Sequence, residues 1–486
     1  MILKDILSSS NIPVVLDGEF AELAVEGICN DSRRVKPGEI YVAQKGAKFD
    51  GNAFIGEVIQ KGVRIILSAN DKPAAAIPPG VCYITLPDEN SVKPLLRAFY
   101  GNPSESVRAV GITGTNGKTT ISYLIESILG REHSLSVIGT VNYRIGRKIL
   151  PAPNTTPGLF EIQRLMSQFA ADGVEYCVME VSSHALDQGR VDLIDFRTAV
   201  FTNLTPDHLD YHQTMEKYFS AKAKLFTGLS EGAFAVINAD DSYGQKLFSK
   251  TAASIVSYGI ENPAEVYARD IEMELSGTRF KMVTPQGSIN IRSRLVGRYN
   301  VYNILAASGA CLSEGVSLEQ IQQGVETLPN VPGRLEKVDC GQDFFVFIDY
   351  AHTPDALENV LTMLRQTSDA KIIVVFGCGG DRDRGKRPQM GKIASRLADY
   401  CVITSDNPRT EEPAAIIDAI VEGCERKNFE VVLNRAEAIG RALSLAAKGD
   451  TVLIAGKGHE NYQIFKDSTI SFDEKAIVRD FLYAKR

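Results

Sequence analysis

Residues 107–130, VRAVGITGTNGKTTISYLIESILG, restrict this chain more than any other stretch. A β-branched run over 107–112 enters a turn of small residues, Thr113-Gly114-Thr115-Asn116-Gly117. Lys118-Thr119-Thr120 follows, and Ile121, Leu124, Ile125 and Leu129 then recur at helical spacing until Gly130 ends the segment. Strand, glycine turn and helix start in that order form an anion cradle. The turn amides point inward and the helix N-terminus adds partial positive charge. Lys118 can reach the terminal phosphates of a nucleotide, and Thr119 can place its hydroxyl on a magnesium ion. The general pattern asks for glycine five residues before Gly117, where this chain has Ile112. GTNGKTT keeps the chemical core, and ATP is the expected ligand. A chance glycine-rich turn is the competing reading; the strand before and the helix after count against it.

A chain of 486 residues exceeds what one core holds, so several domains are expected. A net charge of −7 without a long basic run argues against nucleic acid as a partner. No uninterrupted apolar stretch approaches the roughly 18 residues of a membrane span, and the apolar block in MILKDILSSSNIPVV is too short for a secretory signal. Cys29, Cys82, Cys177, Cys311, Cys340, Cys378, Cys401 and Cys424 are scattered, with no metal-knuckle or redox spacing. They read as reduced, buried small hydrophobes of a cytoplasmic protein.

Residues 1–105 hold short strand and helix patterns. In them Asn30-Asp31-Ser32-Arg33-Arg34-Val35 and Gly46-Ala47-Lys48-Phe49-Asp50-Gly51 read, from composition, as surface turns. Residues 106–333 alternate strands (136–140, 176–181, 198–203) with helices (159–172, 215–226) and include a Pro-rich loop at 150–157. Such alternation implies a mostly parallel sheet with helices on both faces and ligands at the strands' carboxyl ends. Glu180 closes one such strand, a position where a charge is rarely core. After another strand, Asp207, His208, Asp210 and His212 crowd together, either a site or a capped helix with solvated charges. His184, His208, His212, His352 and His459 all sit at strand exits or glycine turns, whereas His133 lies in an unremarkable loop. Lys222 and Lys224, on a helix, read by default as solvated.

Residues 334–486 repeat the α/β pattern, with strands at 344–349, 371–377, 400–404, 431–433 and 451–455. The exits DYAHTPD (349–355), GCGGDRDRG (377–385), SDNPR (405–409) and GKGHE (456–460) should line one crevice. Arg382, Arg384, Arg387 and Arg409 would make it attractive to carboxylates or phosphates.

GTNGKTT, EVSSHAL, TPDHLDYH, AKAKLF, GRYNVYN, PGRLE, DYAHTPDAL, GCGGDRDRGKRP, DNPRTEEP and AGKGHE, in this order, resemble the Mur ligases of peptidoglycan synthesis, a resemblance running from about Asn30 to Glu460. It implies an α/β chain of three domains. These are a small α/β uridine-nucleotide domain (1–105), a central P-loop ATPase-like, mostly parallel sheet (106–333) and a Rossmann-like domain (334–486) that closes over the amino acid. By similarity, Asn30, Ser32, Ala47, Lys48 and Phe49 contact uracil and ribose. Asn154, Thr155, Thr156, Ser182, Gln188 and Arg190 match positions that hold the muramoyl dipeptide. Gly114, Thr115, Asn116, Gly117, Lys118, Thr119 and Thr120 take the ATP phosphates, with Asn303, Arg334 and Asp349 on the adenosine and phosphate sides. Thr119, Glu180, His208 and Lys222 match magnesium ligands, Lys222 as the carbamate it forms with carbon dioxide; Lys118, Glu180, His208 and Lys222 carry the catalysis.

The resemblance further implies an ATP-dependent amide ligase, with an acyl phosphate made on UDP-N-acetylmuramoyl-L-alanyl-D-glutamate. Asp406-Asn407-Pro408-Arg409 is the pattern of the family's meso-diaminopimelate users, while lysine users usually lack the arginine. The physics agrees, because diaminopimelate carries a second carboxylate that a guanidinium can hold bidentately. Arg382, Gly456 and Glu460 match the remaining amino-acid contacts, Glu460 facing the distal ammonium. Competing readings are an L-lysine-adding or relaxed-specificity member, a folylpolyglutamate synthase, and a nucleotide-dependent regulatory protein. The expected chain is a cytoplasmic monomer that binds neither nucleic acid nor membrane.

Overall fold

Aliphatic runs alternating with helical periods give three large sheets in chain order, and a two-stranded ribbon, Tyr462–Ile464 with Thr469–Ser471, follows the third. The computed structural model describes residues 1–484 apart from Val15, Ala47, Lys48, residues 71–76 and Arg147. The first sheet is parallel, with strands Gly27–Cys29, Glu39–Ala43, Ile65–Ser68 and Cys82–Thr85 in that order. Its side chains alternate between two cores, as the strand period of two requires. Ile40 and Val42 meet helices Leu3–Ser9 and Val92–Tyr100 on one face, while Tyr41 and Ala43 meet Ile55–Gln60 on the other.

The central sheet has eleven strands. Seven are parallel, in the order Val266–Glu274, Ser254–Gly259, Phe234–Asn238, Phe196–Phe201, Arg108–Thr113, Tyr176–Glu180 and Leu135–Ile138. Helices Lys118–Leu129 and Arg298–Ser313 cover one face, and Leu159–Ala171 and Met215–Thr227 the other. Antiparallel wings extend both edges, and the sequence reading contained neither. One is the meander completed by Gly277–Thr284 and Gly287–Ser293. The other is the hairpin of Asn142–Ile145 with Lys148–Pro151, which takes over the start of the expected Pro-rich loop.

The third sheet orders Glu336–Lys337, Phe345–Asp349, Thr451–Ala455, Ile372–Phe376, Tyr400–Ile403 and Phe429–Val431, parallel except for the first. Its last strand lies two residues earlier than the spacing suggested. Helices Pro354–Thr367, Lys386–Leu397 and Pro413–Val421 pack on one face, and Arg435–Leu445 and Glu474–Ala484 on the other. Two parallel sheets therefore present their carboxyl edges as ligand-ready rims. All eight cysteines are free thiols, with Cys29 and Cys424 only partly buried. Among the described residues no helix is long and apolar enough to cross a membrane.

Candidate active site

The strand Arg108–Thr113 runs through Ile112, which is fully buried, so the phosphate turn begins after the position where the general pattern wants glycine. Gly114 (φ 145°) and Gly117 (φ 91°) supply the turn instead. A Cβ on Gly114 would fall 1.8 Å from Thr202 Oγ1, and one on Gly117 2.4 Å from Asn303 Oδ1, so neither tolerates a side chain. The turn is braced from the neighbouring strand exit. Thr115 N donates to Asn203 O (2.8 Å), Asn116 N to Asn203 Oδ1 (3.0 Å), and Thr202 Oγ1 to Asn116 O (2.6 Å). Lys118 opens the helix and donates to Gly114 O and Thr115 O, both at 2.8 Å.

Above the turn lies a cavity of about 490 Å³. All the expected ATP contacts line it except Gly114, whose carbonyl lies just beneath. Glu180, Lys222 and His208 line it too. Glu180 ends its strand buried, accepting from Thr119 Oγ1 (3.0 Å), Thr140 N (3.0 Å) and Thr140 Oγ1 (2.7 Å). Lys222 is 1% exposed, which overturns the solvated reading. Its amine donates to Gly114 O at 2.8 Å and lies 4.7 Å from the Tyr218 ring centre. Burial, and then the charge of Lys118, push that amine well below its ordinary pKa. Lys224 points the other way, exposed and paired with Asp187 at 3.2 Å. His208 adopts left-handed backbone (φ 53°), a conformation costing a non-glycine residue about 1 kcal/mol. That conformation turns its ring into the cavity beside Asp207, at 3.3 Å. Burial, opposed by the Asp207 carboxylate and aided by Lys118, lowers the pKa of the imidazole to about 4. His184 packs edge-on against it, and His212 bonds Ser183 Oγ at 2.9 Å.

Of the expected dipeptide positions, Thr155 and Ser182 line one bank of the cavity, whereas Asn154, Thr156, Gln188 and Arg190 lie behind them. Thr156 Oγ1 donates to Glu180 O (2.8 Å) and accepts from Ser182 N (3.0 Å). Arg190 donates to Thr156 O (3.0 Å) and to Gln188 Oε1, and Asn154 O accepts from Tyr143 Oη at 2.7 Å. In the loops that follow the first two strands of the N-terminal sheet, Asn30 is exposed, Ser32 is buried with its carbonyl bonded to Lys61, and Phe49 is 73% exposed. None of these three reaches the cavity, and Ala47 and Lys48 lie outside the described residues.

The opposite bank comes from the C-terminal domain. Arg334 donates to Thr119 Oγ1 (3.2 Å) and stacks 4.8 Å over Tyr350. The Asp349 carboxylate accepts from Leu335 N (2.6 Å) and Ala351 N (2.8 Å). The sequence reading did not single out Asp355. Asn116 Nδ2 (3.2 Å) and Thr205 Oγ1 (3.3 Å) donate to it, tying this domain to the phosphate turn. Its signal was present, because it belongs to DYAHTPDAL. Tyr218, Tyr258, Tyr299 and Tyr302 also line the cavity; Tyr299 and Tyr302 belong to GRYNVYN, whereas nothing in the local sequence set Tyr218 and Tyr258 apart.

Arg382, Asp406, Asn407, Pro408, Arg409, Gly456 and Glu460 form a second cluster at the carboxyl edge of the third sheet. None of them lines the nucleotide cavity. Asn407 ties the cluster together. Its Nδ2 donates to Glu460 Oε2 (2.9 Å), and its Oδ1 accepts from Lys457 Nζ and Ile464 N (both 3.0 Å). Arg409, also left-handed (φ 52°), donates to Gly380 O at 2.8 Å. Gly379 sits between Arg409 and Arg382, and a Cβ there would meet both. Pro408 O packs so close to Gly380 that a Cβ there would lie 1.9 Å away, and Gly456 (φ 119°) lies against Asp406. Arg384 and Arg387 do not join them. Both pair with the single carboxylate of Glu411, at 3.2 and 2.8 Å; Arg387 is buried against it and Arg384 is exposed, so Glu411 offsets one of these two charges. The clusters adjoin through Tyr350, whose ring centre is 5.0 Å from that of His459.

Three family profiles match the chain: "Mur ligase family, catalytic domain" over residues 24–92, "Mur ligase middle domain" over 112–311, and "Mur ligase, glutamate ligase domain" over 333–458. A UDP-N-acetylmuramoyl-L-alanyl-D-glutamate--2,6-diaminopimelate ligase of Syntrophomonas wolfei subsp. wolfei is 43% identical over 482 residues, 98% of each chain. The ligase of the same description from Geobacillus thermodenitrificans is 45% identical over 466 residues, 94% of each. A solved structure of a ligase so described superposes with a TM-score of 0.69 at 34% identity, covering 97% of this chain and 98% of that one.

Proposed function

Because the chain belongs to the Mur ligase family, we propose that it adds meso-diaminopimelate to UDP-N-acetylmuramoyl-L-alanyl-D-glutamate at the expense of ATP, in peptidoglycan precursor synthesis. The observation that carries this reading is the meeting of three banks around one cavity: the phosphate turn with Lys118, the 154–156 and 182–190 loops, and Arg334 with Asp349.

A carboxylate is a poor electrophile, so the glutamyl carboxylate first attacks the γ-phosphorus of ATP, and the bond to ADP breaks. Lys118, the turn amides and Arg334 stabilise the charge on the transferring group, which asks little covalent help of the protein. The diaminopimelate amine then attacks the acyl carbon; the C–O bond to phosphate breaks, the amine loses a proton and an amide forms. Acyl phosphates hydrolyse readily, so the bonds from Asn116 and Thr205 to Asp355 serve to hold the C-terminal domain over the site and exclude water.

The donor set fits a hard divalent cation in part. Thr119 and Glu180 give adjacent oxygens and His208 a neutral nitrogen, but no three His, Cys, Asp or Glu residues converge among the described residues. Lys222 supplies what is missing: burial lowers the pKa of its amine, and an amine that sheds its proton more readily takes up carbon dioxide more readily to become an anionic carbamate. When bound to Thr119, Glu180, His208 and that carbamate, magnesium would neutralise charge on the phosphates. Asp406–Arg409, Arg382, Gly456 and Glu460 are assigned to diaminopimelate, and Asn30, Ser32 and Phe49 to the uridine end. Domains at 1–105, 106–333 and 334–486, a monomeric state and a cytoplasmic location complete the reading.

Release of ADP should require both the nucleotide dipeptide and meso-diaminopimelate. Release indifferent to both would replace the ligase by a nucleotide-dependent regulator, and equal use of L-lysine would remove the specificity assignment.

A further inference from the structure

Beneath the amino-acid cluster lies a charged group that the reaction does not touch. The guanidinium of Arg435 is 0% exposed and donates from Nε to Glu474 Oε1 at 2.7 Å. From Nη2 it donates at 2.8 Å to the carbonyl of Ala455, the residue before Gly456. Its Nη1 stops 3.9 Å from Asp406 Oδ2, at the head of the turn that presents Arg409. One side chain therefore underlies both recognition loops, 406–409 and 456–460.

Stability alone does not account for this arrangement. Arg435 Nη1, Asp406 Oδ2 and Glu474 Oε2 are all buried without a hydrogen-bond partner. Buried ion pairs can often be exchanged for apolar residues of similar volume without loss of stability. Gly456 permits the approach, because a Cβ there would lie 2.9 Å from Asp406 Oδ2. Glu474 begins the last helix, Glu474–Ala484, so through Arg435 that helix is linked to the recognition loops.

We propose that Arg435, oriented by Glu474, is a positioning residue for amino-acid recognition: it fixes the 406–409 turn and the 456–460 loop relative to one another and so sets where Arg409 and Glu460 meet the incoming amino acid. This rests on the diaminopimelate-ligase reading above. Binding at such a site is sensitive to small displacements, and loss of a supporting partner weakens it by roughly tenfold to a hundredfold.

The test is steady-state kinetics of the full chain with each substrate varied in turn, alongside thermal unfolding. The double variant Arg435→Met with Glu474→Met removes both charges and keeps volume. It should raise KM for meso-diaminopimelate by that factor while kcat and the KM values for ATP and the nucleotide dipeptide stay unmoved, with only a small fall in Tm from the donor that the Ala455 carbonyl loses. Arg435→Lys should recover part of the loss. Glu474→Gln, which keeps a hydrogen bond, should give a smaller shift of the same kind and serves if the double variant does not fold. An unmoved KM for diaminopimelate, or a uniform weakening of all three substrates with a lower Tm, would make Arg435 plain scaffold and overturn the proposal. Wild-type chain without diaminopimelate-dependent ADP release would overturn the functional reading and this one together.

Discussion

Lys222 in the central domain and Lys457 in the C-terminal domain are both shut off from solvent, at 1% and 0% exposure, yet their surroundings are opposite. Lys457 reaches Asn407 Oδ1 at 3.0 Å and the Glu460 carboxylate at 3.3 Å. Lys222 has a backbone carbonyl at 2.8 Å, an aromatic face and the repelling charge of Lys118. A buried ammonium persists only when its charge is matched; without a match the group sheds its proton. Burial by itself therefore says little about role. The matched lysine is architecture for the 456–460 loop, and the unmatched one carries an amine whose pKa is pushed down beside the phosphate turn.

The sharpest way to break that contrast is to remove the unmatched amine. Lys222→Ala should lower kcat on the order of a hundredfold to a thousandfold, and acetate should restore part of it by standing in for the carbamate. A variant that turns over normally would end the metal-bridging role. Arg409→Ala comes next. Losing one bidentate charge-assisted contact should raise KM for diaminopimelate by roughly tenfold to a hundredfold, with a far smaller change for L-lysine. Equal losses for both would detach Arg409 from specificity.

Stability should separate the two lysines in the reverse sense. Lys457→Met leaves Asn407 Oδ1 and Glu460 short of a partner and should lower the unfolding free energy by about 1–3 kcal/mol. Lys222→Met removes an amine that no carboxylate pairs among the described residues and should leave stability unchanged or raised. Unfolding midpoints in denaturant would decide it, and equal shifts would erase the distinction.

The phosphate turn was legible because its geometry demands glycine at Gly114 and Gly117 between a strand and a helix, and only short-range pattern is needed to see that. The strand-exit loops were legible for the same reason, since parallel strands place all their exits on one edge. What escaped depends on partners distant in sequence. Glu411 cancels Arg387 from 24 positions away, and Glu474 meets Arg435 across 39. The depth of Lys222 was hidden because a lysine on an amphipathic helix is ordinarily solvated. Left-handed backbone at His208 and Arg409 had no glycine or asparagine to announce it. The strand Lys148–Pro151 is exposed along its whole length, so it shows no apolar alternation.

His459 tests the contrast within one loop, for it lies two residues beyond Lys457 and is treated like Lys222. Its ring packs on Tyr350, its Nδ1 is buried without a partner, and Arg334, with His352 once protonated, adds positive charge nearby. Burial first, and those cations second, bring its pKa from 6.5 down to about 4. The folded chain therefore refuses a proton that the unfolded chain accepts. The stability involved is whole above pH 6.5 and is lost as pH falls through that interval. His459→Phe keeps a ring against Tyr350 and abolishes the proton uptake. Between pH 7 and pH 4.5, the variant should lose less unfolding free energy than the wild type, by on the order of 1–2 kcal/mol. His208 and His352 are depressed in the same direction and retain their share, so the acid sensitivity should shrink without disappearing. An unchanged pH dependence would mean that this loop opens to water before it unfolds. The pairing of Lys457 with Glu460 would then hold the loop too weakly to keep His459 dry.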